Sequence, residues 1–177
     1  MRLNREYKEL TNDILDNENF KMLKNDVHHG TNKYDHCKRV SYLSFLLAKI
    51  FKGDIKKTTR AGLLHDFFYG GRTIKEENSY LKHPITSAKN AKETFGIEKD
   101  EESIIETHMF HYAFLKSLLP FMKEEEKKYF QEYKPKNKNG VIVCISDLLV
   151  SIFEACAFKI RYSTCLYVIF LLNYIRF

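Results

Sequence analysis

The sequence predicts an all-α fold, and three observations carry the prediction. Glycine and proline are sparse, 7 and 3 in 177 residues, so helix-breaking punctuation is confined to a few places. Leu, Lys, Glu, Ile and Ala are frequent, a helix-forming composition. Apolar residues also recur at helical spacing, most clearly Val40, Leu43, Leu46, Leu47 and Ile50 on one face of residues 35–51. With 44% hydrophobic residues the chain can bury one substantial core, and its length does not require a second domain. We therefore expect a single domain over residues 1–177.

Taken in order, residues 5–23 place Leu10, Ile14 and Leu15 at helical spacing, with a break expected at Asp16-Asn17-Glu18-Asn19. A loop through Asn25, Asp26, His28, His29 and Gly30 precedes the helix of residues 35–51, which Gly53 should end. Asp54 can cap the next helix, running through Ala61, Leu63 and Leu64 to His65-Asp66 before Gly70-Gly71 stops it. After a polar loop over 72–82, Pro84 suits the first position of a helix closed by Gly96. A further helix is expected from residue 99 to 109 or 112, a solvated charged helix within 123–134, a loop over 135–140, and a final strong helix over 141–158.

Charge and cysteine usage narrow the function classes. The net charge of +6 suits a phosphate-bearing substrate, but the lysines are spread along the chain rather than gathered, so nucleic-acid binding is not indicated. Cys37, Cys144, Cys156 and Cys165 form no CxxC pair and lie in apolar surroundings, which reads as buried reduced thiols of a reducing compartment. The N-terminus lacks an apolar signal core, so a cytoplasmic location is expected. The apolar segment 164–175 rises only about 18 Å as a helix, against a hydrocarbon core of roughly 30 Å. It reads as a core helix or a self-association surface rather than a membrane span, and its β-branched and aromatic residues leave a strand open.

The residues that carry chemistry centre on His65-Asp66. An imidazole and a carboxylate at the end of an apolar helix can converge on one ion beyond the helix surface. His36 from the preceding helix and Asp147, enclosed by the apolar run 141–150, complete a set of two imidazoles and two carboxylates from three helices. Asp147 is the hardest of the four to explain as an ordinary solvated residue. An ion so held keeps positions open for water or a substrate oxygen.

These residues resemble the HD-domain metal-dependent phosphohydrolases, whose pattern is a lone His, a His-Asp pair and a distant Asp. The first-histidine helix is matched by residues 33–40, the signature helix by Ala61-Gly62-Leu63-Leu64-His65-Asp66, and the last ligand by Ile145-Ser146-Asp147. The resemblance covers roughly residues 28–154, leaving an apolar tail over 159–177. It implies an HD-type helical bundle, metal ligation by His36, His65, Asp66 and Asp147, and hydrolysis of a phosphate monoester, diester or anhydride, with His65 and Asp66 at the catalytic centre.

In the two-metal members of that family, extra histidines lie between the His-Asp pair and the last Asp, and His83 and His108 occupy that interval here. Asp66 would then bridge two ions, with His83 and His108 holding the second. His111, a turn beyond His108, could complete that shell or contact substrate. No Gly-Tyr-Pro triplet or His-His pair follows, which argues against a cyclic-di-GMP enzyme. Nitrogen-rich ligation favours Mn, Fe, Co, Ni or Zn. Arg39, Arg60, Arg72 and Lys82 are candidate phosphate contacts on a small-molecule substrate, nucleotides among the candidates. Two alternatives keep the same ligands: an iron-dependent oxygenase, and a metal-bound regulatory or interaction module without turnover.

Overall fold

The computed structural model describes residues 2–28, 31–69, 79–117 and 124–175, the backbone alone being described at 27, 28, 79, 80, 115, 125, 158 and 161–175. The all-α expectation holds: among the described residues the only strands are β1 (Val27–His28) and β2 (Thr31–Asn32), paired antiparallel as a short hairpin. Arg72, Gly70-Gly71, His29 and the side chains of His28 and Cys165 lie outside what is described.

The helix α1 (Arg2–Leu15) buries Tyr7, Thr11 and Ile14, spaced four and three apart so that one stripe faces inward. The predicted break follows, and there Asn17 caps the short α2 (Glu18–Lys21) by accepting from the Asn19 and Phe20 N–H groups. Next comes α3 (Lys33–Ile50), capped by Asn32, whose Oδ1 accepts from Asp35 N at 2.8 Å. Its end differs from expectation. Lys52, not Gly53, holds the left-handed conformation, at φ 53°, and Gly53 N–H closes back on Ala48 O at 2.8 Å. Space is short at Gly53, where an added Cβ would lie 2.8 Å from Asn139 Oδ1 and 3.3 Å from Ile142 Cδ1 and those side chains would have to shift.

Asp54 caps α4 (Ile55–Leu64) through Lys57 N at 3.0 Å, as expected. This helix is the central pillar. It packs on α1, on α3 and on the later helices α6 (Lys99–Glu106) and α9 (Lys138–Ile175). At Gly62 α3 and α4 pack tightly: an added Cβ would meet Ser44 Oγ at 2.9 Å and Ser41 Cα at 3.3 Å. Leu63, Leu64 and Phe67 enter the apolar core with Ile14, Phe20 and Ile105.

Three element boundaries depart from the sequence reading. The helix α5 (Ser79–Phe95) begins five residues before Pro84, which therefore lies inside it. At that point, in the second turn, the ring removes the bond that residue 84 would make to the carbonyl of residue 80 and crowds that carbonyl, a disturbance kept near the start of the helix. The expected single helix from residue 99 is two, because α6 stops at Thr107 and α7 (Phe110–Ser117) restarts after a turn over 107–109. Cys144 Sγ donates to Thr107 O and Tyr129 of α8 (Glu124–Glu132) donates to Glu106 O, so side chains satisfy carbonyls that a continuous helix would have used.

The last helix is far longer than expected. At 38 residues α9 begins within the anticipated 135–140 loop and continues through residue 175, so the strand option for the tail does not hold. The 12-residue length argument falls with it. The stretch Lys138–Ala157 is long and apolar enough to cross a membrane by length and composition, yet 44% of it is buried. That buried part packs on α3, α4 and α6 and carries Asp147 and Glu154, so this stretch is the domain's core helix. The opposite face leaves Val141, Ile145, Leu149, Ile152, Phe153 and Ile160 exposed. Cys156 is exposed with them rather than in the core, because this helix is apolar all round and periodicity cannot say which side is covered. Cys37 and Cys144 are buried thiols, as expected.

Candidate metal centre

The His-Asp pair sits just past the last residue of α4, where the chain leaves the helix. Inside a helix the two side chains would diverge by about 100°. The turn lets both face the same point. It is fixed from three sides: Phe67 plugs the core, Asn90 Nδ2 donates to Phe67 O at 3.0 Å, and the buried Lys33 Nζ donates to Phe68 O at 2.9 Å. Phe68 in turn lies against the His83 ring, centroids 5.1 Å apart.

The imidazoles are aimed by their Nδ1 atoms. His65 Nδ1 lies 2.9 Å from Gly62 O, and His108 Nδ1 lies 2.7 Å from Ile105 O. A carbonyl can only accept, so both Nδ1 atoms carry hydrogen and both Nε2 atoms are turned inward. Each histidine stands just beyond a helix end, where the carbonyl three residues back is within reach of its own ring; Ile105 O accepts the His108 backbone N–H as well. His36 differs, donating from Nδ1 to Glu154 Oε2 at 2.9 Å while its Nε2 reaches Asp147 Oδ1 at 3.2 Å.

Two overlapping groups of donor atoms result. His36, His65 and Asp147 offer atoms within 4.8 Å of one another, and so do His65, Asp66 and His108. The two groups share His65, and Asp66 lies beside it, with Oδ2 3.9 Å from His65 Nε2 and Oδ1 3.2 Å from His83 Nε2 and 3.7 Å from His108 Nε2. The six residues His36, His65, Asp66, His83, His108 and Asp147 are thus gathered at one place. All are buried except His83, which is partly exposed.

Electrostatics follow from burial against close charge. Burial opposes a proton on His65, but the Asp66 charge and the neighbouring Asp147 outweigh it and raise its pKa well above the ordinary histidine value. On His36 burial is likewise overcome by hydrogen bonds to Asp147 and Glu154, and the pKa is raised. For Asp147 burial would raise the pKa, but the His36 hydrogen bond and the nearby His65 and His36 charges hold it well below the usual carboxylate range. His108 goes the other way, pushed down to about 3 by burial and then by the charges of His65 and His83.

This donor set fits a divalent metal. His65 Nε2 is fully buried with no hydrogen-bond partner among the described residues, and its nearest carboxylate oxygens stand at 3.7 and 3.9 Å. A desolvated ring nitrogen left in that state is costly unless an ion takes its lone pair. Histidine and carboxylate donors suit such an ion.

The other candidates are placed differently. His111 Nδ1 donates to His108 O at 3.0 Å, and its ring lines an apolar cavity of about 300 Å³ with Phe110, Phe114, Pro135, Val141 and Ile145. Arg39 binds Glu154 Oε1 at 2.7 Å and Thr31 at 3.3 Å. Arg60 is held by Leu10 O and Asp13, with Glu101 close by, and so ties α1 to α4. Lys82 lines a surface cleft with Leu81, Ile85, Lys128 and Glu132. Sequence reasoning missed Glu154 and Lys33. Glu154 stands seven residues after Asp147, two helical turns along the same face, and that spacing was the available signal.

The HD domain family model matches residues 34–151. No curated protein and no solved structure matches the chain. The family match covers more than half of the sequence and brackets every member of the buried histidine and aspartate cluster. The chain therefore belongs to the HD-domain family of metal-dependent phosphohydrolases.

Proposed function

We propose that this chain hydrolyses a phosphate monoester, diester or anhydride of a small molecule, nucleotides among the candidates, at a site for two divalent transition-metal ions. The observation that carries the reading is that Asp66 turns one carboxylate oxygen toward His65, which belongs to both donor groups, and the other toward His83 and His108. His36, His65 and Asp147 would hold one ion, His83 and His108 the other, and Asp66 would bridge them. Bound there, the ions would activate water and offset charge on the transferring phosphoryl group.

The chain's own groups prepare that chemistry. Carbonyl acceptors at Gly62 and Ile105 orient His65 and His108 before any ligand arrives, so little reorganisation is needed on binding. His108 is neutral across physiological pH and presents a lone pair. The partly exposed His83 marks the side from which a substrate phosphate would approach. Mn, Fe, Co, Ni and Zn all suit four imidazoles and two carboxylates.

The test is turnover of an aryl phosphate, an aryl phosphodiester and a nucleotide panel by protein stripped of metal and reloaded with each ion, beside Asp66→Ala. Activity that appears with metal and vanishes in the variant supports the reading. Activity that survives in Asp66→Ala, or no turnover of any phosphoester by fully loaded protein, contradicts it.

A further inference from the structure

His65 and His108 take their orienting acceptor from the backbone carbonyl three residues back, a solution open to a residue just past a helix end. His36 cannot use it. It is the fourth residue of α3, where the preceding carbonyls belong to the helix's own ladder, and the ring needs an acceptor from elsewhere. Glu154 supplies one: Oε2 accepts from His36 Nδ1 at 2.9 Å, and Oε1 accepts from Arg39 at 2.7 Å. The Glu154 side chain is only 5% exposed and both its oxygens are engaged, so neither rotation nor water readily replaces the contact. Residue 154 also lies beyond the stretch that the family model matches, which ends at 151.

We propose that Glu154 is a positioning residue for the metal centre. Clamped by Arg39 through one oxygen, it uses the other to fix the His36 tautomer and ring orientation that turn Nε2 toward Asp147 and His65. Arg39 accordingly acts through Glu154 rather than on substrate phosphate. The inference rests on the metal-binding part of the function proposed above and is independent of whether the loaded protein hydrolyses anything.

The clamp makes Glu154→Gln informative. Arg39 only donates, so it selects the amide oxygen of the glutamine and turns the NH₂ group toward His36 Nδ1. His36 must then place its proton on Nε2, the atom needed for the ion. Releasing the clamp with Arg39→Met lets the amide flip and present its oxygen to His36 again. A merely structural pair would leave the double variant no tighter for metal than Glu154→Gln; here the second substitution partly repairs the first.

The experiment is Co(II) titration of metal-free protein against a competing chelator, for wild type, Glu154→Gln, Arg39→Met and the double variant. Imidazole ¹⁵N NMR of the metal-free proteins near pH ~8 reads the His36 tautomer directly. Glu154→Gln is expected to weaken Co(II) by about 10–100-fold and to remove the proton from His36 Nδ1, leaving it on Nε2. The double variant should bind more tightly than Glu154→Gln alone. Glu154→Asp, which keeps the charge and the Arg39 pair but withdraws the oxygens from His36, should also weaken binding and gives a second reading should the glutamine variant fold poorly. Co(II) affinity within about twofold of wild type in Glu154→Gln or Glu154→Asp, against the usual second-shell effect, overturns the proposal. So does a double variant no better than Glu154→Gln.

Discussion

The Nε2 atoms of His83 and His108 face each other at 3.0 Å, one from α5 and one from the turn between α6 and α7. Two imidazole lone pairs at that distance repel, so the contact needs either a proton or an ion between them. His108 has already given its Nδ1 hydrogen to Ile105 O, and burial pushes its pKa down to about 3, so its Nε2 carries the lone pair. The proton between the rings is therefore the one on His83 Nε2, and an ion held by these two residues would take its place.

That replacement gives the first prediction. His83→Ala should lower saturating metal content from two ions to one, because His36, His65 and Asp147 form a group that does not include it. Turnover should fall by about 100-fold or more, beyond the usual effect of an outer-shell change. Metal analysis beside kinetics checks it, and loss of both ions together would show that the two groups are not separable.

Metal should also stabilise the fold. The cluster holds buried charges and an unsatisfied ring nitrogen that an ion would neutralise. At free metal about 100 times the dissociation constant, linkage gives about 2.7 kcal/mol per site, or a Tm rise of roughly 5–10 °C for a domain of this size. Calorimetry with and without chelator reads this directly, and an unchanged Tm would count against occupancy of the cluster.

Much of this centre was legible in the sequence, and the reason is physical. Asp147 stands out because a carboxylate inside an apolar run must have a partner, and His65-Asp66 because it follows the buried run Ala61-Gly62-Leu63-Leu64. Glu154 was missed because α9 is apolar on every side, so no periodicity marked its inward face beyond Asp147. The α6–α7 break escaped notice because Cys144 and Tyr129, distant in sequence, satisfy the carbonyls that permit it. Arg39 and Arg60 stand out by charge alone, and their partners Glu154 and Asp13, distant in the chain, are brought to them only by tertiary proximity.

The end of α3 offers a stability test away from the site. Lys52 holds φ at 53°, a region where a Cβ is penalised and glycine is not. Lys52→Gly should stabilise the protein by about 0.5–1 kcal/mol, the strain relieved exceeding the added freedom of the unfolded chain. Urea unfolding measures it, and a loss of stability would mean that the lysine side chain holds this corner.

Acid sensitivity can be traced to the α1–α4 tie. Burial would raise the Asp13 pKa, but the Arg60 hydrogen bond and charge outweigh it and hold the carboxyl below its ordinary value. A depressed carboxyl contributes stability that is complete above its unfolded pKa of about 3.9 and is lost as pH falls through the lower folded value. Asp13 is 56% exposed on its side chain, so screening keeps the contribution below about 1 kcal/mol. Asp13→Asn should flatten that part of the acid limb in pH-dependent unfolding, and an unchanged limb would contradict the assignment.

The central claim is a two-ion centre bridged by Asp66, and the most direct measurement is the number of ions bound at saturation by metal-free protein titrated with Mn(II) or Co(II). Two ions per chain in wild type, with both sites weakened in Asp66→Ala, is the predicted result. Saturation at one ion or none in the wild-type protein would contradict it.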